Sequence, residues 1–132
     1  MLSRRTAIVL VTGSLLSASL PAVAKGASFQ AMDSNNDGML GLDEIKEAAS
    51  KKFDGLDRNH SGTLTRRQLG RLRLSRKDFA AADTDKDGTL TKVEYIALVE
   101  KRFKAADADH SGMLSLKEFN SRAGLPLRRL VY

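Results

Sequence analysis

Cysteine is absent from the 132 residues, which removes both a disulfide framework to brace the fold and a lipobox thiol to carry an acyl anchor. Also missing are any nucleophile-and-base arrangement, any phosphate-cradling glycine loop and any transition-metal spacing, so an enzyme finds no support in the sequence. The longest apolar run, Ala7 to Leu20, is broken by Thr12, Gly13, Ser14, Ser17 and Ser19 and followed by Pro21. It is a poor, short span compared with the ~20 apolar residues a bilayer requires.

That run reads instead as a leader. Arg4 and Arg5 precede it, and Ala22-Val23-Ala24 matches the small-x-small pattern of a signal peptidase site. The sequence therefore predicts a signal peptide over 1–24, cleavage after Ala24, and a periplasmic or secreted protein with no transmembrane span in the mature chain. Ser3-Arg4-Arg5 touches the twin-arginine signature, but Ala7 and Ile8 replace its usual Phe-Leu, so both export routes stay open. Removing the leader leaves about a hundred residues, enough for one small domain with a modest core.

One pattern is written four times along those residues. Phe29, Phe53, Phe79 and Phe103 each stand four residues before Asp33, Asp57, Asp83 and Asp107. Each Asp opens a twelve-residue stretch with Gly38, Gly62, Gly88 or Gly112 at position six and Leu40, Leu64, Leu90 or Leu114 at position eight. Glu44, Gln68, Glu94 and Glu118 close the stretches, and Ile45, Leu69, Tyr95 and Phe119 follow. This is the spacing of a calcium loop between two helices: a hard cation takes six to eight oxygens, so the chain must wrap around it, turn sharply at glycine and close with a bidentate carboxylate. Asp, Asn, Ser and Gly also favour simple turns, but four copies in phase with the same apolar flanks argue against that blander explanation.

On these residues the whole mature chain resembles the EF-hand family, most closely its small bacterial calmodulin-like members. The resemblance implies an all-α fold of four EF-hand units, with linking helices that are shortened and partly shared. It implies Ca2+ as the cofactor at about three sites. The third loop is the strongest, with Asp83, Asp85, Asp87, the Thr89 carbonyl, Thr91 and Glu94. The first offers Asp33, Asn35, Asp37, the Met39 carbonyl and Glu44, with Gly41 at position nine implying a water. The fourth offers Asp107, Asp109, Ser111, the Met113 carbonyl, Ser115 and Glu118. His60 and His110 fall at position four, which points away from the ion, and are read as solvated.

The second loop departs from the pattern. Asp57 is its only carboxylate, Ser61 stands at position five, Gln68 cannot clamp with two charged oxygens, and Arg58, Arg66 and Arg67 add repulsion. It is expected to be weak or empty as a calcium site. Thr65-x-x-Gln68 still reads as a capping box that starts a helix, so the unit can keep its fold without metal.

Outside the loops, acids are scarce. The leader carries Arg4 and Arg5 and no acid, which leaves 20 Lys and Arg against 16 Asp and Glu; eleven of those acids sit at ligand positions. Three bound calcium ions would raise the mature chain from +4 to +10, turning a patchwork of signs into a cation.

Loop starts lie 24, 26 and 24 residues apart, too close for separate outgoing and incoming helices everywhere. Tyr95, Ile96, Leu98, Val99, Phe103 and Ala106 have unbroken helical periodicity, so one helix is expected to leave the third loop and enter the fourth. The segment from Glu44 to Leu56 reads the same way, and which loops pair is left open. Gly70, and Ser75 with Asp78 three residues on, suggest a helix end and a new cap around Leu74. The expected organisation is 25–74 for the first two hands, 75–124 for the last two, a hinge between them, and a tail over 125–132. Arg66, Arg67, Arg71, Arg73, Arg76 and Lys77 crowd that connector, as a solvated face or as a dock for an acidic protein or anionic envelope surface.

The expected function is calcium binding by an exported protein acting as a buffer or sensor. The alternative is a calcium-stabilised basic adaptor for an anionic envelope polymer, lipid or acidic protein, with no specific nucleic-acid partner. No methionine falls on the long helices that leave the loops, which argues for limited opening of the kind that marks a buffer.

Overall fold

The computed structural model describes residues 24–132. The expected leader therefore lies outside the described residues except for Ala24, the first residue of α1 (Ala24–Met32). There follow β1 (Met39–Gly41), α2 (Leu42–Leu56), β2 (Thr63–Thr65), a 3-10 turn (Gln68–Leu72), α3 (Arg76–Ala82), β3 (Thr89–Thr91), α4 (Lys92–Ala106), β4 (Met113–Ser115), α5 (Leu116–Phe119) and α6 (Leu125–Val131). The fold is mostly helical and built from helix-loop-helix units. Its four short strands are positions seven to nine of the twelve-residue stretches. Among the described residues no helix is long and apolar enough to cross a membrane.

The shared helices expected from periodicity are α2 and α4, of 15 residues each. They are the frame of the molecule and run in opposite directions. The end of α2 meets the start of α4 through Phe53 and Tyr95, whose rings meet edge to face at 5.6 Å, and through Asp54 and Lys92 at 2.9 Å. Towards the other end Lys46 of α2 reaches Glu100 of α4 at 2.6 Å.

This frame decides which loops pair. A helix of this length is about 22 Å long, so α2 holds the first and second loops apart, and α4 does the same for the third and fourth. Because α2 and α4 are antiparallel, the first loop comes beside the fourth and the second beside the third. β1 pairs antiparallel with β4, Leu40 opposite Leu114, and β2 with β3, Leu64 opposite Leu90. Both ladders cross the boundary at Leu74–Ser75, so segments 25–74 and 75–124 share one core instead of forming separate halves.

That core is made of the repeated apolar positions. The four phenylalanines, the four position-eight leucines and Ile45, Leu69, Tyr95 and Phe119 are all buried in a single cluster. The connector follows its sequence signals: Arg73, at φ 53°, ends the 3-10 turn, and the Ser75 hydroxyl caps α3 by accepting from the Asp78 amide at 3.0 Å. Leu69 and Leu72 turn into the core while Arg66, Arg67, Arg71, Arg73, Arg76 and Lys77 all stay exposed.

The segment read as a tail is instead a core element. α6 packs on both α2 and α4 and buries Leu127, Leu130 and Val131. Their i, i+3, i+4 spacing puts them on one helical face. Gly124 admits this return of the chain, because a Cβ there would lie 2.6 Å from the Glu118 carbonyl oxygen and closer still to that of Phe119.

Candidate metal centres

Each loop is organised around its first aspartate, which is buried although charged. Its two oxygens accept the amide hydrogens of positions five and six. Asp33 takes those of Asp37 (3.1 Å) and Gly38 (2.9 Å), and Asp83 those of Asp87 (3.2 Å) and Gly88 (2.9 Å). Asp107 binds Ser111 and Gly112 in the same way at 3.1 and 2.9 Å, as Asp57 does Ser61 and Gly62 at 3.0 and 2.8 Å. The glycine is required by conformation, not by space. Gly38, Gly62, Gly88 and Gly112 sit at φ +80° to +84° with nothing within 4 Å of a would-be Cβ.

Position four is also left-handed in every loop, at Asn36, His60, Lys86 and His110 with φ between 54° and 57°. Asn36, His60 and His110 are of types enriched in the left-handed region, whereas Lys86 is not. His60 and His110 are exposed there.

The glutamate at position twelve both caps the outgoing helix and bends back over its own loop. One oxygen accepts the amide of position nine: Gly41 to Glu44 at 2.9 Å, Thr91 to Glu94 at 2.8 Å, Ser115 to Glu118 at 2.9 Å. The other reaches the start of the loop. Glu44 accepts from the Ser34 amide (3.0 Å) and hydroxyl (3.1 Å), Glu94 from those of Thr84 (3.2 and 3.0 Å), and Glu118 from the Asp109 amide (3.3 Å). The position-two hydroxyls were not among the expected site residues. They tether the clamp, and a Ser or Thr directly after the first aspartate is the signal that could have revealed them.

The third loop gathers the most charge. Asp83, Asp85 and Asp87 each place a carboxylate oxygen within 4.8 Å of the others, as do Asp107, Asp109 and Glu118 in the fourth loop. Desolvation, together with the neighbouring carboxylates, pushes the Asp85 carboxyl up. Glu94 is held below the usual carboxylate range, first by the Thr91 amide, and Asp87 likewise by the amide and hydroxyl of Thr89. Here like charges converge on a point that has not been neutralised by a basic side chain. In the first loop Asn35 takes position three, and its carboxylates are not so gathered.

The second loop has the same backbone but different ends. Gln68 accepts from the Thr65 amide at 2.9 Å as a capping residue, and its Nε2 donates to the Leu56 carbonyl at 3.2 Å. The side chain is tied to the end of α2, where a glutamate would turn to position two. The expected capping box forms, with Thr65 Oγ1 accepting from the Gln68 amide at 3.3 Å, but a 3-10 turn follows where an α-helix was expected.

The donors in the other three loops are all oxygens, mostly ionised, and their geometry suits a hard divalent cation such as calcium. The EF hand family model matches residues 26–48, 77–99 and 98–121, together just over half of the chain. The chain belongs to the EF-hand family. The last two matches meet within α4, the helix shared by the third and fourth loops, and none covers the second loop. No curated protein matches the chain. As an EF-hand chain with two convergent carboxylate clusters it is a calcium-binding protein; the residues that would hold the ion are those of the loops, and the ion would supply the charge that their carboxylates lack.

Proposed function

We propose that the protein binds calcium at three loops, 33–44, 83–94 and 107–118, and acts outside the cytoplasm as a buffer. The ligands in this reading are Asp33, Asn35, Asp37, Met39 and Glu44; Asp83, Asp85, Asp87, Thr89, Thr91 and Glu94; and Asp107, Asp109, Ser111, Met113, Ser115 and Glu118, with Met39, Thr89 and Met113 acting through their carbonyls. The observation that carries it is the glutamate that caps its helix while leaning over the loop, at Glu44, Glu94 and Glu118, against a Gln68 turned to Leu56. Three formed clamps and one diverted amide support three sites. Calorimetric titration with calcium tests this, and a stoichiometry near four or below two would overturn it.

The buffer assignment rests on α6. Sensors open on calcium to present an apolar groove, whereas buffers barely move. In this chain the apolar face along α2 and α4 is covered by Leu127, Leu130 and Val131. Export rests on the leader pattern in the sequence, and fractionation of the producing cell tests it.

A second reading, a basic adaptor for an acidic protein or anionic envelope surface, is favoured by the exposure of the six basic residues on the connector. Binding of that kind weakens steeply with salt, which calcium buffering does not require.

A further inference from the structure

The clefts beside the first three loops are equivalent in position but not in charge. The one beside the first loop, between α1 and α2, places Glu44 and Glu47 with Lys51 and Lys52. Its counterpart beside the third loop, between α3 and α4, places Asp78 and Glu94 with Lys101. Beside the second loop, between the end of α2 and the 3-10 turn, the cleft has a volume of about 410 Å³ and is lined by Arg58, Arg67 and Arg71 with no acid at all. The glutamate lost at position twelve is the missing counter-charge, and Arg58 occupies the position-two corner that this glutamate would approach.

This cleft continues into a second one of about 390 Å³, which shares Gly55, Leu56, Arg58 and Arg71 and adds Lys51, Lys52 and Arg129. No acidic side chain lines it either. Arg58, Arg67, Arg71, Lys52 and Arg129 take part in no ion pair among the described residues, and residues 1–27 contain no acid that could supply one. Leu56, Leu72 and Tyr132 also line the cleft and supply its apolar surface.

We propose that this double cleft binds a multiply phosphorylated anion. Guanidinium groups hold phosphate bidentately through paired N–H donors, and Arg58, Arg67, Arg71 and Arg129 line this cleft with no acidic side chain among its lining residues. Arg58 and Arg71 stand between the two compartments, so a ligand with two or more phosphate groups can place one on each side. The size of this open cleft suits a compact ligand, either free in solution or the headgroup of a phosphorylated lipid. The site is separate from the calcium loops proposed above, and Asp57, buried at the start of the second loop, is not among the residues that line it.

The test is calorimetric titration of the full chain, freed of metal on a chelating resin, with sodium tripolyphosphate. One saturable site is expected, weakened about tenfold or more by Arg58→Gln with Arg71→Gln, as loss of charge-assisted hydrogen bonds requires. Arg129→Gln, on a different element, should weaken it as well. Arg73→Gln with Arg76→Gln removes the same charge from the exposed connector outside the cleft and should change affinity by less than about threefold. Vesicles containing a phosphatidylinositol bisphosphate distinguish the sources: capture that tripolyphosphate displaces points to a lipid headgroup, and tripolyphosphate binding without capture points to a soluble ligand. Equal losses in the two double variants, or binding of long polyanions such as heparin but not of tripolyphosphate, would overturn the proposal.

Discussion

The hydroxyl of Tyr95 donates a 2.6 Å hydrogen bond to the carbonyl of Leu130, joining α4 to α6 in the interior. Burial pushes the Tyr95 phenol well above its ordinary value. The folded chain therefore keeps this proton at a pH where the unfolded chain releases it, so the contribution to stability is complete below the unfolded value of about 10 and is lost as pH rises beyond it. In Tyr95→Phe the Leu130 carbonyl loses its buried donor, and we expect a loss of about 1–3 kcal/mol at neutral pH. Urea unfolding of both proteins at pH 7 and above pH 10 checks this, because the gap between them should narrow in alkali.

Removing α6 separates a covered groove from a missing one. A chain ending at Gly124 should bind a hydrophobic dye several-fold more than the intact chain, with or without calcium, because the apolar surface under Leu127, Leu130 and Val131 is then open. The intact chain should show only a modest rise on adding calcium. A large calcium-dependent signal in the intact chain, together with capture of an amphipathic peptide, would mark it as a sensor and remove the buffer reading.

The turn into α6 gives a sharper test of the same docking. In Gly124→Ala the new methyl meets the backbone carbonyls of Glu118 and Phe119, which cannot swing aside as a flexible side chain would. We expect a loss of about 1–3 kcal/mol, the usual range for overpacking, measured by thermal unfolding. Gly38→Ala should also destabilise the fold, but through its positive φ and not through contact.

The repeated Phe, Leu and post-loop apolar positions could be read as core from the sequence because each has a fixed place in a twelve-residue pattern. The long helices α2 and α4 were legible for a similar reason: their periodicity runs unbroken from one loop to the next. Ser75 and Asp78 announced the start of α3 through a local hydrogen bond. Loop pairing was not legible, because it depends on α2 and α4 lying antiparallel, a tertiary fact that no local signal carries. The docking of α6 was hidden by its shortness, since Leu127, Leu130 and Val131 acquire meaning only beside Tyr95. The diverted amide of Gln68 was half legible: the lost charge is in the sequence, while its bond to Leu56 is not.

Charge convergence in the loops predicts how stability responds to calcium. Without an ion, Asp83, Asp85 and Asp87 repel one another, and no disulfide braces the fold. An ion that binds only the folded state at a hundred times its dissociation constant stabilises by about 2.7 kcal/mol per site. In a domain of this size each kcal/mol moves the midpoint by about 4–8 °C, so millimolar calcium should raise the melting temperature by more than about 10 °C over chelator. Magnesium should do less, because it demands tight octahedral geometry and gives up water reluctantly. Equal melting temperatures with calcium and with chelator would remove the claim that the loops hold the ion.

Substitutions at position twelve distinguish the loops from one another. Glu94→Gln keeps the size and the cap, since an amide oxygen can still accept from Thr91, but takes away the charge over Asp83, Asp85 and Asp87. We expect it to weaken one of three binding events by about tenfold or more, equivalent to at least ~1.4 kcal/mol. Glu44→Gln should have a smaller effect, because Asn35 already leaves the first loop with less gathered charge. Gln68→Ala should leave all three events in place and instead lower the melting temperature, through loss of its bonds to Thr65 and Leu56. Calorimetry of the three variants beside the parent reads each outcome separately. Disappearance of a binding event in Gln68→Ala would mean that the second loop is a working site and that its amide closes on the ion after all.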